Sequence, residues 1–552
     1  MKLIATIQAD LRVTPLGTRS RLADELVGIP VLRRTIERVR RIQGIDSIHL
    51  LCPVDNLDRC SGLVEGLSVR VHPYDAPPAP WASLVRAARK WSLDGWRGGI
   101  GGTTCFDEFT DARLLHGLML ETKADAVFSV PPSAVILDAA LAEAMIERFT
   151  SIREDTRLMF AQTPPGLTGL VLDASLVGEL AEKNIPVGWV FSYKPDTPLK
   201  DLIFQPCCFE IPPEARYAAG RMLADTERSM ERLTALLRAH EDPDLATAGR
   251  WLIEEERTTT ERLPREVEIE LTTDDPYPDT LLRPRGSRVE RRGPVDLGII
   301  GAIAMELAAY DDSLIVLGGF GDPLRHPRFA DVLAAIRTAG RETGGVYGLA
   351  VRTNAVDLSD STIEALIAHE VEVLEVTLDA WTPELYGRLQ SPSDPAAADL
   401  DTVLARLDRL AELRQQRQGA RPIVVPHLTK MLENVQEMDD FHDGWIRRVG
   451  AVVIAGYSRH AGSMPDRSVI HMAPSPREAC RRIRSRCVVL ADGRVTMCDQ
   501  DVNGRHAVGS VGEQSLGDIW LGSAFEEVRE AHRRGDFQAT PLCAACDDWH
   551  RP

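Results

Sequence analysis

Cys480, Cys498, Cys543 and Cys546 are the residues of this chain whose types and spacing most clearly do chemistry. Cys498 ends the stretch "ADGRVTMC", and the last two close a "CAAC" pair. Four thiolates gathered in this way suit a tetrahedrally ligated group, either a [4Fe–4S] cluster or zinc. Asp492-Gly493 is a tight hairpin signal that would deliver Cys498 beside the closing pair. Cys487 is a fifth thiol in the strand-like "RCVVL" and reads as a core residue. Between Cys208 and Cys480 there is no cysteine.

The elements that must position these residues fall into an α/β pattern. The chain has 552 residues, enough for two to four domains. Strand-like and helical stretches alternate from "KLIATIQA" through "VLRRTIERVRRIQ", "SIHLLCP" and "ADAVFSVP", which predicts an α/β layer with a mostly parallel sheet over residues 1–235. Polar, helix-prone residues 236–264, interrupted at Pro243, read as linking helices. A second series follows over 265–475. Its strands are "VEIELTT", "SLIVLGG", "YGLAVRT", "VEVLEVTLD", "PIVVPHLT" and "AVVIAGY", with helical patterns between them. Six such units predict a partial (β/α)6 barrel, whose ligands sit at the C-terminal ends of its strands. Residues 476–552 are short-looped and cysteine-bearing.

Composition narrows the function classes. A formal net charge of −18 argues against a broad nucleic-acid-binding surface. No apolar run approaches the ~20 residues of a membrane helix, and the N-terminus lacks a signal-peptide pattern. The expectation is a cytoplasmic protein acting on a small-molecule or peptide substrate, with no nucleic-acid or membrane partner. Sparse cysteines in a reducing compartment favour metal binding over disulfides.

The C-terminal segment resembles the SPASM or twitch domain of radical S-adenosylmethionine proteins. The resemblance rests on Cys480, the hairpin to Cys498, Asp501, "LGDIW", "AFEEVREAH" and the final Cys-x-x-Cys. It implies an auxiliary [4Fe–4S] cluster, with zinc as the alternative. The middle region resembles the radical S-adenosylmethionine barrel through "LGGFGDPLRHPRF", "RTNA", "VTLDAWTPELY" and "TKMLENVQEMDDFHDGW". The family's Cys-x-x-x-Cys-x-x-Cys follows the first strand. Here "ELTTDDPYPDTLLRPRG" puts Asp275, Asp279 and Leu282 at those positions. Leu cannot ligate iron and carboxylates are poor substitutes for thiolates, so no radical-generating cluster is expected. Gly319, Gly321, Asp322 and Pro323 occupy the segment that meets S-adenosylmethionine in the family, which implies a residual nucleoside site. Arg283, Arg285, Arg288, Arg291 and Arg292 could bind an anion at the barrel mouth, or form a solvated loop.

The N-terminal region resembles GT-A-like nucleotidyltransferases through "LGTRSRLADELVGIPVLRRTIERV", although the expected lysine is absent. The resemblance implies nucleotide binding by Gly17, Arg19 and Arg21. Asp107 or Glu108 would hold the metal. The layout as a whole resembles the spiro-SPASM type. Three functions follow: an iron–sulfur protein with a degenerate barrel that binds one cluster and a nucleotide-like ligand; a nucleotidyl- or glycosyltransferase; or a radical enzyme with atypical cluster ligands. No catalytic residue can be assigned from sequence.

Overall fold

The computed structural model describes residues 1–198, 200–343, 348–417, 421–470 and 473–551. The chain forms two compact units, Met1–Thr259 and Thr260–Pro552.

The first unit is an α/β layer. Its strands are β1 (Leu3–Gln8), β2 (Glu25–Leu26), β3 (Ile29–Pro30), β4 (Ser47–Pro53), β5 (Arg70–Tyr74), β6 (Ala126–Val130), β7 (Leu158–Ala161), β8 (Leu170–Asp173) and β9 (Cys208–Phe209). Seven of them form one sheet in the order β5-β4-β1-β6-β8-β7-β9, while β2 and β3 make a separate small hairpin. Strand β1 runs parallel to both β4 and β6. It is a central strand buried on both faces: Leu3, Ala5 and Ile7 enter one apolar cluster and Ile4 the other. That explains why it reads as a continuous apolar run. The helix Val31–Val39 buries Val31, Leu32, Ile36 and Val39, a spacing that keeps one face on the sheet.

The helices expected to link domains belong to this unit. Glu227–Ala239 and Leu245–Thr258 bury Leu233, Leu236, Leu237, Ala248 and Leu252 in the first unit's core. They read as polar because only one narrow stripe of each is apolar. The break at Pro243 falls between them, where the Asp244 side chain caps the second helix by accepting from Thr247 N–H.

The second unit opens with β10 (Glu266–Glu270), β11 (Leu314–Gly318), β12 (Gly348–Thr353), β13 (Val373–Thr377), β14 (Ile423–Lys430) and β15 (Val453–Gly456). All six are parallel to their neighbours, in chain order, with helices between them. β16 (Arg486–Val489), β17 (Arg494–Thr496) and β18 (Gly509–Ser510) continue the same sheet beyond β10. β16 pairs parallel with β10, Val267 facing Cys487, and β17 returns antiparallel. The cysteine-bearing segment is thus continuous with the barrel's sheet.

Alternation along β10 sorts its side chains. Val267 and Ile269 enter the apolar core, and Glu268 and Glu270 take the opposite face. Glu268 meets Arg352 of β12 at 3.1 Å, and Arg352 meets Glu375 of β13 at 2.9 Å. The Glu268–Arg352 pair crosses over β11 at Gly318, where a Cβ would stand 3.1 Å from Glu268 Oε1. No helix of the described residues is long and apolar enough to cross a membrane.

Candidate metal centre and cavities of the two units

The four cysteines come together. Cys480, Cys498, Cys543 and Cys546 line one small cavity with Arg477, Arg482, Gln500, His532, Asp548 and Trp549. Each arrives from a different local device. Cys480 precedes the short helix Arg482–Ser485. Cys498 follows β17, after a turn in which Gly493 takes φ +87° and an added Cβ would strike Val511 O at 2.9 Å. Cys543 lies in the helical turn Pro541–Ala544, whose proline opens it, and Cys546 follows. Burial pushes the Cys543 and Cys546 thiols up to about 11 and raises Cys498 further, with Asp499 adding to the effect. As placed, no three His, Cys, Asp or Glu side chains among the described residues close on a single point as metal ligands. Neutral thiols have no drive to do so; a metal must displace their protons. A donor set of four cysteines around one cavity fits an iron–sulfur cluster or zinc.

Neighbouring charges are fixed. Arg482 bonds the Asp499 carboxylate at 2.9 Å and holds it well below the usual carboxylate range. Asp548 N–H donates to Cys546 Sγ at 3.3 Å. Asp501 accepts from Arg505 N–H and His506 N–H and so shapes the following loop. Cys487 is buried in the core at 1% exposure, its thiol pushed up to about 12 by burial, away from the cavity-lining set. Arg477 carried no motif signal in the sequence, and His532 only closed the helix motif "AFEEVREAH" with no role of its own; the fold brings both to the thiols.

At the C-terminal ends of the barrel strands the cavity is only about 20 Å³. Its walls include Asp275, Arg283, Arg285, Gly321, Asp322 and Asn354. Arg285 bonds Asp275 at 2.7 Å, and Arg283 pairs with Asp379, whose carboxyl is thereby held down at about 2 against its burial. Leu282 is 2% exposed, within the core. Asp279 accepts from Ser393 N–H at 2.9 Å. The expected arginine loop is therefore partly internal: Arg283, Arg285 and Arg292 are engaged with carboxylates.

The glycine-rich segment is occupied by the chain itself. Gly319 has φ +85°, and a Cβ there would meet Glu270 at 2.6 Å; at Gly321 it would meet Thr272 O at 2.3 Å. These glycines allow backbone to approach backbone. Asp322 accepts from Thr353 Oγ1, Asn354 N–H and Leu324 N–H, and Pro323 opens the short turn after it. Burial, with Asp275 adding to it, pushes the Asp322 carboxyl up to about 6. A carboxyl raised from its ordinary 3.8 holds a proton in the fold that the unfolded chain has released. Its stabilising contribution is complete below about pH 4 and lost as pH rises through about 6. Urea midpoints of wild type and Asp322→Asn are expected to diverge less at pH 7 than at pH 4.5; equal differences at both would exclude this group as the source.

The first unit holds a cavity of about 420 Å³, within the range of small-molecule sites. It lies at the ends of β1, β4, β5 and β6, lined by Gln8, Asp10, Arg21, Tyr74, Asp111 and Ser133 among others. β1 and β6 flank the point where the strand order reverses, the usual ligand crevice of such sheets. Arg21 lines it and pairs with Glu227 at 2.8 Å. Arg19 is 61% exposed, pairs with Asp24 at 2.6 Å and is not among the lining residues. Gly17, at φ +84°, supports the Thr14–Thr18 turn above Arg86. Asp107 and Glu108 have other tasks. Asp107 caps its own turn through Thr104 and accepts from Gly188 N–H at 2.6 Å. Glu108 is clamped by Arg89 at 2.8 Å and Arg221 at 2.5 Å in a buried network that includes Asp225. Both line the same cavity, with their carboxylates already accepting from these partners.

Comparison with known proteins agrees with the C-terminal reading. The family model of SPASM, an iron–sulfur cluster-binding domain, matches residues 480–547. An uncharacterized protein of Treponema pallidum (strain Nichols) is 28% identical over 261 residues, 45% of this chain and 68% of that one. Among solved structures, BtrN in complex with AdoMet and 2-DOIA is 17% identical, covering 51% of this chain and 93% of that one, at a TM-score of 0.35. Streptococcus suis SuiB bound to S-adenosylmethionine is 13% identical over 58% of this chain and 84% of that one, at 0.40. A cytidylyltransferase from Leptospira borgpetersenii serovar Hardjo-bovis (strain JB197) is 15% identical over 46% and 93%, at 0.31. Likenesses this distant carry no residue role over to the chain. With four cysteines around one cavity and a matched family model, residues 480–547 are a SPASM iron–sulfur cluster-binding domain.

Proposed function

We propose that the chain binds one [4Fe–4S] cluster through Cys480, Cys498, Cys543 and Cys546, and that its barrel does not generate a radical. The observation that carries the second half is the barrel mouth. Arg283 and Arg285, paired with Asp379 and Asp275, stand where the family's cluster loop lies and leave about 20 Å³. Opening that space for a cluster and S-adenosylmethionine means breaking ion pairs whose acidic partners are buried. Losing one partner of such a pair costs about 3–5 kcal/mol. Incubating the iron-loaded protein with S-adenosylmethionine and dithionite is expected to yield no 5′-deoxyadenosine above a protein-free control. More than one equivalent per chain would sink this reading and favour a radical enzyme with unusual ligands.

A second reading is favoured by the 420 Å³ cavity: the first unit binds a nucleotide-like ligand, as a nucleotidyl- or glycosyltransferase would. Arg12 and Arg21, which line it, are already matched by Asp10 and Glu227. A triphosphate would therefore need a divalent ion to offset its charge. Calorimetry with nucleoside triphosphates is expected to show binding only with Mg²⁺. That binding is expected to weaken at least tenfold in Arg21→Ala (about 1.4 kcal/mol) and to be unchanged in Arg19→Ala. Equal loss in both variants would contradict this placement of the site.

A further inference from the structure

Two buried donors sit at the cavity of the four cysteines. His532, 3% exposed, lies in the last turn of the helix Ser523–Arg533 and lines the cavity. Its Nδ1 accepts from Cys480 N–H at 3.2 Å, which places the ring proton on Nε2. That Nε2–H is buried with no hydrogen-bond partner among the described residues. Arg477 lines the same cavity. Its Nη2 donates to Cys543 O at 2.9 Å, and its guanidinium lies 4.7 Å from the Phe537 ring. Its Nε–H is likewise buried without a partner among the described residues. A buried donor left unmet forfeits its hydration with no compensating bond. Two of them on one cavity call for an acceptor inside it.

Sulfide and thiolate sulfurs are such acceptors, and hydrogen bonds to them help set a cluster's reduction potential. Donors favour the reduced form, which carries one more negative charge. A guanidinium within the same wall acts in the same direction, because little water is present to screen it.

We propose that His532 and Arg477 donate hydrogen bonds to the iron–sulfur cluster and poise it to accept an electron, so that it is an electron-carrying site and not purely a structural one. This rests on the cluster reading above. The electron comes from an external low-potential one-electron donor, and the cluster gains one electron with no bond made or broken.

The test uses the anaerobically purified full chain, with iron and sulfide measured first and the potential then followed by EPR during dithionite titration. In His532→Phe and Arg477→Leu the reduced-to-oxidised ratio at a fixed potential is expected to fall about tenfold, equal to about 59 mV for one electron. His532→Gln, whose amide can both accept from Cys480 N–H and donate, is expected to restore most of the difference. Unchanged potentials in both variants at full iron content would overturn the proposal, as would a wild-type cluster that dithionite cannot reduce. Should the variants lose iron, pulsed EPR of reduced wild type with ¹⁵N-labelled histidine still decides. A nitrogen coupling from histidine is expected, and its absence overturns the proposal. A wild-type chain without iron removes the cluster reading itself, an outcome separate from an unshifted potential.

Discussion

Replacing Cys543 and Cys546 together with Ala is expected to remove essentially all protein-bound iron and to loosen the C-terminal segment around it. The pair supplies half of the four thiols on the cavity, and two remaining thiols cannot hold a cluster that takes four. The variant should keep the barrel fold, because the apolar core of the second unit is built mainly from β10–β15 and their helices. Far-UV circular dichroism should therefore stay close to wild type. Proteolysis should become faster within residues 476–551, since metal binding and local folding are coupled. Retention of full iron in the double variant would place the cluster elsewhere.

Arg292→Met is expected to destabilise the second unit by about 3–5 kcal/mol, because it strands a buried charge. Glu270 is fully buried and is a junction of four contacts. Its carboxylate takes two bonds from Arg292, at 2.5 and 2.9 Å, one from Phe320 N–H in the glycine-rich segment, and one from Ala491 N–H in the cysteine-bearing hairpin. Removing the guanidinium leaves the carboxylate charged and buried with only two neutral donors. The double variant Arg292→Met/Glu270→Gln should recover much of the loss, since a neutral amide does not carry the same desolvation cost. Urea unfolding of wild type, Arg292→Met, Glu270→Gln and the double variant measures this directly. A single-variant loss below about 1 kcal/mol, the level of an exposed pair, would show that the pair carries no such weight.

The barrel was legible in the sequence because its six strands and intervening helices each bury a clear apolar pattern, and β10 through β15 follow in that order. The four cysteines were legible because their spacing survives without knowledge of the fold. Other features depended on partners far away in the chain. Arg283 meets Asp379, 96 residues on, and Arg292 meets a carboxylate 22 residues back. A loop of arginines therefore reads as solvated or anion-binding until the fold shows what neutralises it. The pairing of β16 with β10 was hidden for the same reason: a four-residue strand carries no mark of its neighbour. The stretch 236–264 reads as a linker because a polar surface helix such as Leu245–Thr258 and a linker look alike when only one stripe is apolar. His532 closed the "AFEEVREAH" motif but gave no sign of its role. A lone histidine late in a helix is informative only once Cys480 N–H is seen to fix its tautomer.

The account turns on what the four thiols hold. Iron, acid-labile sulfide and zinc should be measured per chain on wild-type protein purified without oxygen. About four irons and four sulfides, with negligible zinc, is the predicted result for one Cys-ligated [4Fe–4S] cluster. Zinc in place of iron would contradict it and make the site structural, and about eight irons would contradict the filled barrel mouth by requiring a second cluster.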